Sequence, residues 1–248
     1  MGKLSGKAAV ITGGASGIGH AIAILFAEEG ADVAIIDRDE TKLTEAARAL
    51  AAHGGKTLGA KADVGDEAEV KRAFAAIRKA LGDVDILVNN AGIDTPSEVA
   101  DMPTEMWDEM VRVNLRSVFL CAREVLPAMK RKKWGRIINV ASQLAHKGSP
   151  LKAHYCAAKA GVVGFTKSLA YEVVRDGITV NALAPGPTDT PLFWGVPREW
   201  IDQKLAEVPI GRIGRVDEVA PSALLLATEE GSYYVGATLN MNGGDVMI

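Results

Sequence analysis

Residues 153–161, AHYCAAKAG, set Tyr155 and Lys159 four positions apart. On a helix that spacing puts both side chains on one face. A free phenol has a pKa of about 10 and is protonated at neutral pH. An ammonium beside it favours the phenolate. A phenol lowered in that way can take the proton of an alcohol as hydride leaves carbon, and can return it to a carbonyl in reverse. Ser142 closes the apolar run RIINVAS, where its hydroxyl can hydrogen-bond a substrate oxygen and stabilise developing charge. By themselves a tyrosine and a lysine at this spacing are ordinary amphipathic surface. The chemistry depends on what the rest of the chain brings to them.

Near the N-terminus, TGGASGIG (12–19) joins the strand-like run AAVIT (8–12) to the helical stretch IGHAIAILFAEEG. Glycines there permit a tight turn and a close approach of backbone N–H groups to a pyrophosphate, at a helix N-terminus that favours anions. The spacing Gly13-xxx-Gly17-x-Gly19 differs from the usual GxGxxG. The next strand-like run, DVAIID (32–37), ends in Asp37. A carboxylate at that point can accept both hydroxyls of an adenosine ribose and repels a 2′-phosphate, which favours NAD over NADP. Two features leave this open. Asp37 can instead help cap the helix that starts near Asp39, and Arg38 is a base able to hold a 2′-phosphate.

Further strands are expected near TLGAKADV, DILVNNAG, RIINVAS, TVNALAPG and ATLNMNGG, with helices to about His53 and near 66–81, 104–132, 154–175 and 217–228. Strands alternating with helices imply parallel pairing through right-handed crossovers. The expected fold is α/β, a single-domain, Rossmann-type, doubly wound parallel sheet of about seven strands with helices on both faces. Residues 1–248 read as one dinucleotide-binding catalytic domain. A proline- and tryptophan-containing segment, 187–215, is expected as a small lobe over the crevice at the strands' carboxyl ends.

Composition narrows the alternatives. The chain of 248 residues is 48% apolar and 24% charged, with a formal net charge of −3. No long basic stripe offsets that charge, which argues against nucleic acid as a partner. No apolar run reaches the roughly 18–20 residues of a membrane span, and the N-terminus lacks a signal-peptide pattern. A cytoplasmic location is the expectation. Cys121 and Cys156 read as free thiols, and the four histidines have no metal-ligand spacing, so no catalytic metal is expected.

Taken in order, TGGASGIG, Asp63-Val64, NNAG (89–92), Asn114, Ser142, Tyr155-xxx-Lys159 and PGPTDTP (185–191) run along almost the whole chain. In these motifs the sequence resembles the short-chain dehydrogenase/reductase family, in the branch that includes 3-oxoacyl-carrier-protein reductases and many sugar, polyol and hydroxy-acid dehydrogenases. The resemblance implies a catalytic set of Asn114, Ser142, Tyr155 and Lys159. It implies that Gly13, Ser16, Gly17, Ile18 and Gly19 line the cofactor phosphates and ribose. Asp63 and Val64 would contact adenine, and Asn90, Ala91 and Gly92 would pass beneath the adenosine side and central ribose. Pro185, Gly186, Thr188 and Thr190 would hold the nicotinamide end, Lys159 the nicotinamide ribose, and Asn114 a water that passes protons to Lys159. A homotetramer is implied too.

The substrate is expected to be a small alcohol or ketone, with Asp94, Gln143, Leu144, Ala145, His146 and Trp194 shaping its site; Thr95, His154 and Trp200 are further candidates. His146 and Lys147 would suit an anionic group unless they form a solvated loop. The basic run 130–133 could dock an acidic acyl carrier protein or simply complement a helix dipole. Because Asp37 favours NAD, an NAD-dependent dehydrogenase of a secondary alcohol leads over an NADPH-dependent 3-oxoacyl reductase. A dinucleotide-binding sensor without turnover is the remaining class, and the intact Ser, Tyr, Lys and Asn set argues against it.

Overall fold

The computed structural model describes residues 2–195 and 198–248. In it the chain runs β1 (Ala8–Thr12), α1 (Gly17–Glu28), β2 (Asp32–Asp37), α2 (Glu40–Ala51), β3 (Thr57–Lys61), α3 (Glu67–Leu81), β4 (Ile86–Asn89) and α4 (Thr104–Val111). It continues with α5 (Ser117–Lys132), β5 (Gly135–Val140), α6 (Leu144–Lys147), α7 (Ala153–Val173), β6 (Ile178–Leu183), α8 (Pro191–Trp194), α9 (Arg198–Glu207), α10 (Val216–Ala227) and β7 (Thr238–Leu239). The strands form one seven-stranded sheet in the order β3-β2-β1-β4-β5-β6-β7. Every pairing in it is parallel.

Strand sequences such as AAVI and VAII (33–36) are continuous apolar runs because both faces of the sheet are covered. Side chains alternate between the two sides. Val10, Ala34, Ile36, Leu87, Ile137 and Val180 pack with Phe74, Val125 and Val173 on one side. Ala9, Ile11, Val33, Ile35, Ile86, Val88 and Ile138 pack with Ile22, Phe26 and Leu226 on the other. Phe26 and Phe74 are fully buried, one in each layer. Truncating either to alanine would cost about 3–5 kcal/mol.

The structure trims several expected elements. The helix expected to reach His53 stops at Ala51, and the last strand shrinks to two residues. The long helix expected over 104–132 is interrupted by a π-helical turn, Arg112–Arg116. Such a turn inserts one residue into the α-helical hydrogen-bond pattern, and here it contains Asn114. Segment 187–215 leaves the sheet and returns to its own start. Thr188 and Gly214 bridge, with Gly214 N–H donating to Pro187 O at 2.9 Å and Asp189 N–H to Gly214 O at 2.8 Å. Among the described residues no helix is long and apolar enough to cross a membrane.

Candidate active site

Strand order reverses between β1 and β4, and in such sheets ligands bind in the crevice beyond the carboxyl ends at that point. A cavity of about 1400 Å³ lies there. Its wall carries Gly13, Ser16, Gly17, Ile18, Asp37, Arg38, Asp63 and Val64 toward one end, and Asn114, Ser142, Tyr155 and Lys159 toward the other, with Asn90, Ala91 and Gly92 on the same wall. Pro185, Gly186, Thr188 and Thr190 also line it. Ligand pockets run to about 300–1,000 Å³, so the space suits a dinucleotide together with a second small molecule.

The glycine loop is shaped for close approach. Gly13 and Gly17 have φ of +62° and +56°, the left-handed region that side chains disfavour. A Cβ on Gly13 would fall 2.9 Å from Ala91 Cα and from Asn90 Nδ2. Asn90 braces the loop, its Nδ2 donating to Thr12 O at 3.0 Å and Gly13 O at 3.1 Å. Gly19, expected on the cofactor wall, lies behind it: a Cβ there would strike Gly13 O at 2.3 Å, so this glycine lets helix and loop pack.

Asp37 is not the cap of α2. That role belongs to Asp39, whose Oδ1 accepts Lys42 N–H at 3.1 Å. The Asp37 carboxylate instead accepts Ala15 N–H of the glycine loop at 3.3 Å and Asp39 N–H at 3.1 Å, which fixes it at the cavity edge. Arg38 beside it is exposed. Asp63 is held by Arg112 at 2.8 Å and accepts Gly65 N–H at 2.8 Å. Burial works to raise the Asp63 carboxyl, but the Arg112 and Gly65 hydrogen bonds outweigh it and the group stays below its ordinary value.

Tyr155 and Lys159 share one face of α7, with the lysine Nζ 5.7 Å from the phenol ring centre. The structure changes the expected electrostatics. Burial drives the Tyr155 phenol upward, Asp94 adds to this, and a hydrogen bond with Ser142 only partly opposes it. In the chain by itself, desolvation of the phenolate dominates and the Ser142 hydrogen bond is the influence that lowers it. Burial also lowers Lys159 itself to about 8, against the pull of Asp94. Its Nζ donates to Val140 O, 2.8 Å away at the end of β5. Asn114 Nδ2 donates to Ile93 O at 3.0 Å and Met110 O at 3.2 Å, while its Oδ1 accepts Ile93 N–H at 3.3 Å. Ser142 Oγ accepts Leu144 N–H at 3.1 Å. Thr190 caps α8 through Phe193 N–H at 3.3 Å.

Of the residues expected at the substrate, Asp94, Gln143 and Leu144 line the cavity. Ala145 does not; it packs against the cluster of Val118 and Val162. His146 and Trp194 are also off the wall, Trp194 being 47% exposed with its Nε1 donating to Asp189 Oδ1 at 2.7 Å. His154 is buried beneath, its Nε2 3.3 Å from Thr95 Oγ1. The side chain of Trp200 lies outside the described residues. Lys152, which carried no signal in the sequence, lines the cavity and pairs with Asp94 at 2.8 Å. Most of the basic run ending α5 is engaged in ion pairs: Arg131 with Asp83 at 3.5 Å, Lys132 with Asp85 at 2.8 Å, and Lys133 with Asp176.

Known proteins resemble the chain in sequence and fold. A family model described as Enoyl-(Acyl carrier protein) reductase matches residues 13–245. The chain is 42% identical over 245 residues to the 3-oxoacyl-acyl-carrier-protein reductase of Vibrio cholerae serotype O1, covering 99% of both. It is 39% identical over 241 residues to the (2S)-((R)-hydroxy(phenyl)methyl)succinyl-CoA dehydrogenase subunit of Thauera aromatica, covering 97% of both. A solved short-chain type dehydrogenase/reductase from Mycobacterium marinum superposes with a TM-score of 0.94 at 35% identity, over 99% of this chain and 98% of that one. The chain belongs to the short-chain dehydrogenase/reductase family. As a member it is an oxidoreductase acting on CH–OH groups, and the family uses NAD or NADP.

Proposed function

We propose that the protein is an NAD-dependent dehydrogenase that interconverts a secondary alcohol and a ketone. One observation carries this reading: a single cavity has the Asp37 carboxylate on its wall together with Ser142, Tyr155 and Lys159. The glycine loop, Asp37, Asp63, Val64 and the 185–190 segment would hold the dinucleotide. When bound, that cofactor supplies the hydride acceptor or donor. Tyr155 passes a proton between its phenol oxygen and the substrate oxygen. Ser142 donates a hydrogen bond to the same oxygen. Lys159 holds the nicotinamide ribose and carries positive charge toward the phenol, and Asn114 holds a water in contact with Lys159. Burial keeps the Tyr155 proton on at neutral pH, which suits donation to a carbonyl; removal of an alcohol proton needs the added positive charge of the oxidised cofactor.

A second reading is an NADPH-dependent 3-oxoacyl-acyl-carrier-protein reductase. It is favoured by the Vibrio cholerae relative and by Arg38, an exposed base on the cavity wall. The deciding experiment is a fluorescence titration with NADH and NADPH on the wild type and Asp37→Ala. Tighter NADH binding, with the preference narrowing in the variant, supports the first reading. Tighter NADPH binding, unchanged by the variant, refutes it and leaves Arg38 as the determinant. A screen of secondary alcohols and 3-oxo thioesters then names the substrate. We further propose a homotetramer, for which a monomer mass in light scattering would be the refutation. A cytoplasmic setting accords with two free thiols.

A further inference from the structure

The C-terminal turn carries a carboxylate with no part in the scheme above. The side chain of Asp245 is 3% exposed. Its Oδ1 accepts from Lys147 Nζ at 2.8 Å, and its Oδ2 accepts from Gln143 Nε2 and from Lys204 Nζ. These partners come from separate segments. Gln143 follows Ser142 directly, Lys147 ends α6, and Lys204 sits on α9 in the segment that leaves the sheet. All three line the cavity. Lys204 also pairs with Glu207 at 3.3 Å, so two lysines face two carboxylates and the cluster is balanced. The charge of Lys147, a candidate for an anionic substrate in the sequence, is therefore taken up by Asp245.

The tail is shaped to deliver this carboxylate. Gly243 and Gly244 have φ of +64° and +88°. A Cβ on Gly243 would fall 2.6 Å from Ile210 Cγ2, so the turn lies close against the chain leaving α9. Ile210 N–H donates to Gly243 O at 3.1 Å. Asn242 Oδ1 accepts Gly244 N–H at 3.0 Å and its Nδ2 donates to Val246 O at 2.8 Å, which holds the turn on both sides of Asp245.

We propose that Asp245 is a positioning residue that latches α9 to the loop following Ser142, so that one carboxylate sets the covering segment relative to the group that holds the substrate oxygen. The proposal rests on reading the cavity as the alcohol/ketone site. Removing a buried carboxylate that bridges two ammonium groups leaves Lys147 without its carboxylate and Lys204 with Glu207 alone, so the segments carrying the two lysines lose the group that joins them.

The test is hydrogen exchange by mass spectrometry on the full chain, for wild type, Asp245→Asn and Lys204→Met. Exchange is expected to rise in 198–207 and 143–147 together in Asp245→Asn, and in 198–207 in Lys204→Met, with the sheet unchanged in both. A rise confined to 240–248 would overturn the proposal, since Asp245 would then only anchor the tail. Kinetics with ethyl acetoacetate and the preferred reduced cofactor give the second reading. In both variants kcat/KM falls about tenfold, mainly through KM, with cofactor affinity unchanged. The double variant adds little to either single one, and independent, additive effects would also overturn the latch. Exchange reads the latch without turnover. Absence of nicotinamide-dependent turnover in the wild type would count against the functional reading alone, and the exchange pattern would still decide the latch.

Discussion

Gly92→Ala is the sharpest perturbation of the proposed catalytic set that avoids all four of its members. A Cβ on Gly92 would stand 2.6 Å from Asn114 Oδ1 and 3.6 Å from Lys159 Nζ, where ordinary contact begins at 3.4 Å. The backbone at Gly92 is not in the left-handed region, so alanine meets a collision without conformational strain. The lysine contact is already ordinary; the asparagine contact is short by about 0.8 Å. Asn114 has little freedom to give way, because its amide is tied to both Ile93 N–H and Ile93 O as well as to Met110 O. Moving Oδ1 by that amount breaks the 3.3 Å bond from Ile93 N–H. Overpacking of this kind costs about 1–3 kcal/mol of stability. A displacement near 1 Å in a catalytic constellation costs on the order of 10–100-fold in rate. The assay is kcat at saturating substrate, with cofactor affinity by fluorescence and Tm measured alongside. The expected result is a large loss in kcat, a lower Tm and retained cofactor binding. In an Asn114→Ala background the added alanine at 92 should cost little more, because its collision partner is gone. Wild-type kcat in Gly92→Ala would refute the placement of Asn114 in turnover.

Tyr155→Phe should lose turnover by at least about a hundredfold while cofactor affinity holds, because only the proton-carrying oxygen is removed; near-normal initial rates would sink the mechanism. Lys159 is lowered by burial to about 8, so between that value and its ordinary 10.5 the unfolded chain binds more protons than the folded one. Wild-type stability should therefore rise relative to Lys159→Met as pH climbs from about 8 to about 10, and a thermal-shift difference that stays flat over that window would show the lysine is not desolvated. Asp66 caps α3 by accepting Glu69 N–H at 2.8 Å. Asp66→Ala should cost about 1 kcal/mol, or roughly 2–4 °C in Tm for a chain of this size, with unchanged kinetics; a loss of activity without a fall in Tm would contradict a purely capping role.

What the sequence made legible is what is local in the chain. The glycine loop is eight consecutive residues at a strand–helix junction, and Tyr155 and Lys159 are one helical turn apart; each is a local pattern, and the family resemblance of the motifs taken together pointed to the one cavity they line. The direction of the phenol's shift was not legible. It depends on how completely Tyr155 is buried and on Asp94, which stands 61 positions earlier in the chain and reaches the site only through the fold. Likewise, which carboxylate caps α2 turned on which one meets the N–H of Lys42, and two aspartates two residues apart look equivalent in sequence. The π-helical turn at Asn114 was not read from the apolar pattern of 104–132, because a single turn is too short to establish a change of period.

The walls of the substrate end share this difficulty, and it explains why the reaction is easier to read than the substrate. Ala145 and His146 stand next to Leu144 yet miss the cavity, because α6 is a single turn that presents one side to it. Lys152 meets Asp94, and Lys147 and Lys204 meet Asp245, through ion pairs between distant segments. Proton transfer draws on groups of fixed type, of which Tyr155 and Lys159 stand one helical turn apart. Selection of one alcohol among many depends on where α9, the loop after Ser142 and the C-terminal turn come to rest against each other. Those positions are set by pairs of charges whose partners no local pattern names, so variation at Lys204 and Asp245 should change substrate choice while leaving the proton-transfer set intact.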